Sequence, residues 1–238
     1  MITNELKIAF VHISRTGGRS VSDFLARNLE RQHKMNSAKT KLRGANQDLL
    51  AYHNLIGGHC GYQVVDLPRC FKYITILRNP VDRVISSYNR LMVSGDNEIK
   101  MDIAVRMREE QWSYLDYVTS ANVEAQYWVN NATFLLSGIK AEAPNVDGRD
   151  LLATALSNLR YNFDFVGIFE RMDDTIEVLK RKYGFTGDIP QIGVDEYEDS
   201  KYVPTAKELE ITQRELFPDW IMYRVGEQLF KEQYHALA

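Results

Sequence analysis

Apolar runs alternate with amphipathic segments along most of the chain. The first run, Ile8 to Ile13, predicts a strand, and apolar residues at helical spacing predict a helix from about Ser20 to Leu29 directly after it. Lys72 to Leu77 and Phe163 to Phe169 carry the β-branched and aromatic residues of buried strands. A helical pattern follows each of them. Strands that alternate with helices in this way predict an α/β fold with a mostly parallel sheet flanked by helices.

The helix expected after Leu77 has distinct apolar and polar sides. Asn79 can cap this helix, and Pro80 fits its first position. Apolar residues between Val81 and Leu91 recur at helical spacing and predict a buried stripe. The opposite side is expected to be polar, and it contains Asn79, Arg83, Ser86, Ser87 and Arg90.

Weaker patterns extend these predictions to other parts of the chain. The segment from Arg31 to Gln47 contains five basic residues and no acidic one, which predicts a mobile basic loop. Asp150 is expected to cap a helix, and Gly184 is expected to end one that begins near Asp173. The region from Thr205 onwards is expected to be helical, so the fold should have a helical C-terminal part.

Composition limits the classes of protein to consider. A chain of 238 residues with 45% apolar and 26% charged residues can bury a core, and we expect one domain, residues 1–238. The net charge of −3 gives no overall attraction to nucleic acid or to anionic membranes, so any anion site has to be local. No apolar run approaches the roughly 20 residues that cross a bilayer. Residues 1–7 lead straight into the first strand and only two cysteines occur, so we expect no signal peptide and a cytoplasmic location.

The segment Ser14-Arg15-Thr16-Gly17-Gly18-Arg19-Ser20 joins the first strand to the first helix. Unpaired N–H groups and the helix dipole attract anions at such a point, and glycines let an anion approach the backbone. Arginine and hydroxyl side chains add donors. The segment therefore predicts phosphate binding, with plain chain reversal as the alternative. A kinase-type ATP site is disfavoured because Ile13 stands where the first Walker glycine belongs and Arg19 replaces the lysine.

Arg78 predicts a second anion site. It lies at the carboxyl end of a predicted parallel strand, where open α/β sheets bind ligands, and its guanidinium can hold a phosphate through two hydrogen bonds. Ser86 can add a hydroxyl from the following helix. The alternative interpretation pairs Arg78 with Asp82 at the surface and leaves the serine solvated. Two anion sites in this order fit a ligand that carries phosphate groups at both ends of an adenosine.

Two stretches resemble motifs of a known family. FVHISRTGGRSV is similar to FVHIPKTGGTSL, and ILRNPVDRVISSYNRL is similar to LRDPVERVLSSYYFL. Both motifs occur in carbohydrate sulfotransferases that use 3′-phosphoadenosine 5′-phosphosulfate (PAPS), a group that includes heparan sulfate 2-O-sulfotransferase. Looser similarity makes the resemblance nearly end to end. It implies a P-loop-like core, and a set of PAPS-binding residues composed of Arg15, Thr16, Gly17, Gly18, Arg19 and Ser20 at the phosphosulfate, Arg78 and Ser86 at the 3′-phosphate, and Ser200 and Lys201 in a covering loop.

Histidine is the residue type that best removes a hydroxyl proton near neutral pH, and the chain has five. His59 lies in Ile56-Gly57-Gly58-His59-Cys60-Gly61-Tyr62, a segment similar to the HGH segment of the 2-O-sulfotransferases, which implies that His59 is the catalytic base. A histidine packed between glycines is the alternative. His12 is expected to be structural, and His53 is a candidate for the acceptor side. No histidine and cysteine cluster has zinc spacing, so no metal is expected.

The chain departs from the resembled motif at two charged positions. Arg15 replaces a lysine and Arg19 replaces a threonine, and arginine can stabilise a leaving phosphate but does not release its proton. Despite these departures, the two motifs and the family resemblance together imply a PAPS-dependent sulfotransferase. In this interpretation Arg15 and His59 are catalytic and the acceptor hydroxyl belongs to a saccharide. Two alternatives remain: a catalytically silent protein that binds 3′,5′-ADP or PAPS, and a kinase-like phosphotransferase. The sequence leaves the oligomeric state open.

Overall fold

A parallel sheet of five strands forms the centre of the protein. The structure is a computed structural model, and it describes residues 6–35, 47–63, 67–92, 102–139, 147–192 and 202–237. The strands are β1 Lys7–Val11, β2 Gln32–Met35, β3 Leu55–Gly58, β4 Phe71–Leu77 and β5 Phe163–Ile168.

Helices flank the sheet and form the C-terminal part, as the sequence predicts. None of them, within the described residues, is both long and apolar enough to cross a membrane. They are α1 Gly18–Asn28, α2 Gln47–Tyr52, α3 Pro80–Met92, α4 Asp102–Glu109, α5 Tyr114–Val118, α6 Val123–Val129, α7 Asn131–Ser137, α8 Gly148–Tyr161, α9 Met172–Tyr183, α10 Ala206–Glu215 and α11 Phe217–Ala236.

The strand order β2-β3-β1-β4-β5 makes β1 the neighbour of both β3 and β4. The chain leaves β1 towards β3 and β2, then returns to the other side of β1 to form β4 and β5. Val11 at the end of β1 is level with Gly58 on one side and Thr75 on the other. The loops that follow β1, β3 and β4 therefore open at the same edge, around the point where strand order reverses. Ligands of open α/β sheets bind at such points.

Three apolar cores hold these elements together. The largest joins the sheet to α1, α7, α8, α9 and α11, and the smallest contains Ala9, Leu50, Ile56, Cys60 and Phe71. The second core lies among α3, α4, α5 and α6, and it contains a group of tyrosines whose rings contact one another: Tyr88, Tyr114, Tyr117 and Tyr202. The helix α3 packs in this second core, and its amino end lies at the carboxyl edge of the sheet because it follows β4 closely.

The predicted caps are partly confirmed. The Asn79 side chain accepts hydrogen bonds from the N–H groups of Val81 and Asp82 at the start of α3, as predicted. Gly184 ends α9 in the left-handed conformation with φ of 72°. The predicted cap at Asp150 is wrong, because Asp147 accepts the N–H of Arg149 and α8 begins three residues earlier.

The prediction of a basic loop from Arg31 to Gln47 is wrong at its start, where β2 pairs with β3. An edge strand pairs through its backbone on one side only, so it does not require the apolar run by which buried strands are recognised. Residues 36–46 of this segment lie outside the described residues.

The prediction that Arg83 and Ser87 lie on a polar side of α3 is wrong, because both side chains are buried. The Arg83 guanidinium donates to the carbonyl oxygens of Trp128 and Val129 at the end of α6, and one nitrogen lies 3.4 Å from a carboxylate oxygen of Asp219. Helical periodicity assigns Arg83 to the polar side, but α3 is covered on that side by other helices. A buried charge then needs partners, and these elements provide them.

Asp219 on α11 is the partner of Arg83 and also caps α7. Its carboxylate accepts the N–H groups of Ala132 and Thr133 and the hydroxyl of Thr133, at 2.7 to 3.2 Å. Only 1% of its surface is exposed. One carboxylate therefore satisfies the first turn of α7 and neutralises the arginine of α3, which ties three elements together.

Replacing Asp219 with alanine should lower the free energy of unfolding by about 3 kcal/mol or more, because it leaves the Arg83 charge buried without its carboxylate. Urea denaturation measures this loss. The matched control is Glu227→Ala, which removes the partner of the well-exposed Arg224 on the same helix and should cost at most about 1 kcal/mol. Equal losses in the two variants would contradict the prediction.

Candidate active site

The loop after β1 has the geometry of an anion site. Gly17 precedes the first residue of α1 and adopts the left-handed conformation with φ of 72°, and Arg15 has φ of 66°. Six residues separate β1 from α1, and these turns direct the N–H groups at the start of α1 towards the carboxyl edge of the sheet. The Thr16 side chain is fully buried and its hydroxyl donates to the Ile13 carbonyl oxygen at 2.8 Å. Thr16 thus stabilises the loop from inside.

The two predicted anion sites are in direct contact. The Arg15 side chain donates through Nε to the Ser86 hydroxyl at 2.8 Å. Arg78 donates through Nη1 to the Arg15 carbonyl oxygen at 2.9 Å. The sequence analysis assigns Arg15 to one end of the nucleotide and Arg78 with Ser86 to the other. In the structure the two arginines and the serine form one connected group at the switch point between β1 and β4.

Phe169 is a residue of this group that the sequence analysis missed. It follows the end of β5, and its ring centroid lies 4.5 Å from the guanidinium carbon of Arg78. A Cβ on Gly17 would come within 2.9 Å of the same ring. The Phe169 ring therefore packs against both anion loops and helps to set the separation between them. Phe169 directly follows the buried strand β5, at the carboxyl edge of the sheet, and this position is the signal that could have identified it.

His59 follows β3 at the same edge. Its Nδ1 lies 2.9 Å from the His12 carbonyl oxygen. Because a carbonyl oxygen only accepts hydrogen bonds, Nδ1 has to carry the proton, and Nε2 of the neutral ring is left with its lone pair. Burial lowers the pKa of His59 from its ordinary value near 6.5, although the bond to the carbonyl opposes part of this effect. The neutral ring is the form that can accept a proton.

His12 lies between the base candidate and the anion loop. Its ring stacks on that of His59 with centroids 4.1 Å apart. Burial, followed by the nearby His59 and Arg19, lowers the pKa of His12 well below its ordinary value, so this ring is neutral at pH 7. The ring also occupies the space in which a Cβ of Gly18 would lie, at 1.9 Å. Gly18 is therefore required for close packing between α1 and His12.

The remaining predicted residues are distributed as follows. Arg19 is exposed in the first turn of α1. The Ser20 hydroxyl accepts the N–H of Ile192 at 3.0 Å, so it contacts the chain just before the undescribed residues 193–201. Ser200 and Lys201 lie within that range, outside the described residues. His53 lies after α2, at the end of the sheet where β3 begins.

Metal binding has no support within the described ranges, where no group of three or more His, Cys, Asp or Glu side chains could hold an ion. The expectation that no metal takes part stays a prediction. Among the described residues, Arg15 and Arg78 provide positive charge that can act on an anion at the switch point.

The switch point thus has the architecture of a P-loop-like anion-binding site, with two loops and a neutral histidine at one sheet edge. The model of the Sulfotransferase family matches residues 1–225, and the chain therefore belongs to the Sulfotransferase family, which is a family of enzymes. Membership implies PAPS as the donor and transfer of its sulfuryl group to an acceptor. A search of curated proteins finds no match for the chain. The family match does not separate 2-O-sulfotransferases from other members.

Replacing Gly18 with alanine should displace the His12 ring, lower the free energy of unfolding by about 1–3 kcal/mol and weaken binding of 3′,5′-ADP. Urea denaturation and calorimetric titration measure the two effects. The control is Gly148→Ala at the first position of α8, where an added Cβ meets nothing within 4 Å. This control should be neutral or slightly stabilising. A Gly18→Ala protein as stable as the control would show that the His12 ring moves at no cost.

Proposed function

We propose that the protein transfers the sulfuryl group of PAPS to a hydroxyl of a carbohydrate and releases 3′,5′-ADP. The observation that carries the proposal is the contact between the two anion loops, with His59 at the same sheet edge. The residues present fit the donor: the glycine-rich turn at the start of α1 suits the 5′-phosphosulfate, and Arg78 with Ser86 suits the 3′-phosphate.

His59 is proposed to act as the general base. As the acceptor oxygen bonds to sulfur, the proton of its hydroxyl passes to Nε2 of His59, and the bond between sulfur and the bridging phosphate oxygen breaks. The hydrogen bond from Nδ1 to the His12 carbonyl keeps Nε2 as the accepting atom. The lowered pKa of His59 keeps the ring neutral before transfer.

Arg15 and Arg19 are proposed to stabilise the negative charge that develops on the leaving 5′-phosphate. Arg15 reaches Ser86 with one nitrogen, so it lies between the places proposed for the two ends of the nucleotide. Because an arginine keeps its proton, its contribution is charge stabilisation and orientation without proton transfer.

The acceptor and the wider context rest on the sequence. The motifs FVHISRTGGRSV and ILRNPVDRVISSYNRL support a saccharide acceptor of the kind used by 2-O-sulfotransferases. Fold and family leave the acceptor open, since related proteins use one fold for many substrates. We also propose that residues 1–238 form one sulfotransferase-like domain, that Ser200 and Lys201 contact the nucleotide, and that the protein acts in the cytoplasm without a metal.

Calorimetric titration with 3′,5′-ADP, 5′-AMP and ATP tests the nucleotide site. The wild type should prefer 3′,5′-ADP, and Arg78→Ala should weaken that affinity by about ten- to a hundredfold because a charge-assisted bond to the 3′-phosphate is lost. Arg160→Ala, an exposed arginine in the last turn of α8, is the control and should bind normally. Preference for ATP would favour the kinase-like alternative, and the absence of any preference would overturn the proposal.

Replacing His59 with alanine should lower the rate of transfer by about 10²–10⁴-fold and leave affinity for 3′,5′-ADP nearly unchanged. In the wild type the rate should decline as the pH falls, with the midpoint of the decline below the ordinary histidine pKa of 6.5, because the lowered pKa keeps the base unprotonated to a more acidic pH. Release of 3′,5′-ADP from PAPS in the presence of saccharides measures both. Binding without transfer in the wild type would identify the silent protein, and full activity of His59→Ala would exclude His59 as the base.

A further inference from the structure

Asn131 connects the anion loop to the rest of the molecule through one side chain. It is the first residue of α7, only 1% of its surface is exposed, and its Oδ1 accepts the N–H of Ser14 at 3.0 Å. Its amide nitrogen donates to the Tyr127 carbonyl oxygen at 3.2 Å. Ser14 lies in the loop after β1 and Tyr127 lies on α6, so the Asn131 amide links that loop to α6.

Ser14 lies at the start of the anion loop. It is 6% exposed and directly precedes Arg15, whose positive φ begins the turn into α1. Its hydroxyl lies 3.4 Å from Nδ1 of His59. Ser14 therefore lies next to both the loop and the proposed base. Removing the Asn131 side chain would take away the acceptor of its buried N–H group, which is energetically costly.

Asn131 is itself held firmly. Asp219 accepts the N–H groups of the next two residues of α7 and pairs with Arg83. Arg83 lies one helical turn before Ser86 on α3. The same buried group of side chains thus fixes the first turn of α7, which bears Asn131, and the helix that bears Ser86. Both sides of the proposed nucleotide site depend on it.

We propose that Asn131 is a positioning residue for sulfuryl transfer: its side-chain amide holds Ser14 and thereby aims the loop N–H groups at the anion and places the loop against His59. The inference rests on the proposed function. The resembled motif FVHIPKTGGTSL has proline where this chain has Ser14. Proline has a fixed φ and no N–H, so here a hydrogen bond takes the place of a rigid ring.

An asparagine suits this place better than an aspartate. Its oxygen accepts the Ser14 N–H as a carboxylate would, but its nitrogen also donates to Tyr127, which a carboxylate could not do. A carboxylate would in addition put a negative charge beside a site that receives an anion.

The first experiment compares Asn131→Ala with Asn130→Ala. Asn130 is a buried neighbour whose side chain donates to Gln126 and to the Glu215 carbonyl, and neither partner belongs to the loop. We expect Asn131→Ala to weaken binding of 3′,5′-ADP about tenfold or more, because the freed loop spends less time in the binding conformation. Asn130→Ala should bind within about twofold of the wild type even if it is less stable. Calorimetry measures the affinity for 3′,5′-ADP, and urea denaturation measures the free energy of unfolding. Equal affinities of the two variants would overturn the proposal.

A double-mutant cycle with Ser14→Pro isolates the single hydrogen bond. Proline removes the N–H and restrains the loop by itself, so Ser14→Pro should bind 3′,5′-ADP within about threefold of the wild type. Adding Asn131→Ala to that background should then cost much less than the tenfold expected alone. If Asn131→Ala weakens affinity for 3′,5′-ADP by the same factor in the wild type and in Ser14→Pro, Asn131 acts on affinity by another route.

Hydrogen exchange of the Ser14 amide separates failure of this inference from failure of the proposed function. The amide should exchange faster in Asn131→Ala and as in the wild type in Asn130→Ala and in Asn131→Asp, which keeps an acceptor oxygen. If wild type has no preference for 3′,5′-ADP, the proposed function fails, and exchange rates alone decide whether Asn131 holds the loop. If wild type binds and exchange is the same in all variants, only the positioning role fails. Should Asn131→Ala show no cooperative unfolding, Asn131→Leu takes its place, because leucine keeps a side chain of similar size but has no acceptor for the Ser14 N–H. Wild-type exchange of the Ser14 amide in that variant would overturn the positioning role.

Discussion

The parallel pairing of β1 with β3 on one side and β4 on the other is the constraint on which the site depends. Val11 and Gly58 are level and end β1 and β3, and β4 continues only two residues beyond Thr75, so the three loops that follow these strands begin close to one another. The glycine-rich turn after β1, His59 and Arg78, from three distant parts of the chain, are thereby brought to one edge. None of these groups would form a site alone, and the backbone ladder of the sheet provides the rigidity that the side chains need.

Buried polar side chains make the second contribution. Arg83 and Asp219 are costly to bury, and the structure offsets that cost with several hydrogen bonds from the α6 and α7 helix ends. Apolar packing holds helices together but tolerates small shifts along their axes, whereas a capped helix end bonded to a charged pair does not. The pair therefore ties together α3, which bears Ser86, α7, which bears Asn131, and α11.

Local patterns identified those elements whose physical cause is local. The buried strands β1, β4 and β5, the Asn79 cap and the Gly184 stop were predictable because a run of β-branched residues, an amide cap or a left-handed glycine acts within a few residues. The predictions failed where distant partners decide. Periodicity alone placed Arg83 on a polar side because it cannot show that α11 and the end of α6 cover it. The edge strand β2 was missed because its pairing, and not its composition, makes it a strand.

The sequence by itself determined the α/β class. It also indicated two candidate anion-binding loops, through residue types at close spacing, and His59 as a candidate base, through the resembled motif. Only the tertiary structure decided how they act together. It joined Arg15 to Ser86, stacked His12 on His59, and brought Phe169 and Asn131 to the loop from more than a hundred positions away. The physical reason is that hydrogen bonds and ring contacts depend on distances in space. Those distances arise only when strand pairing and helix packing have closed the chain on itself.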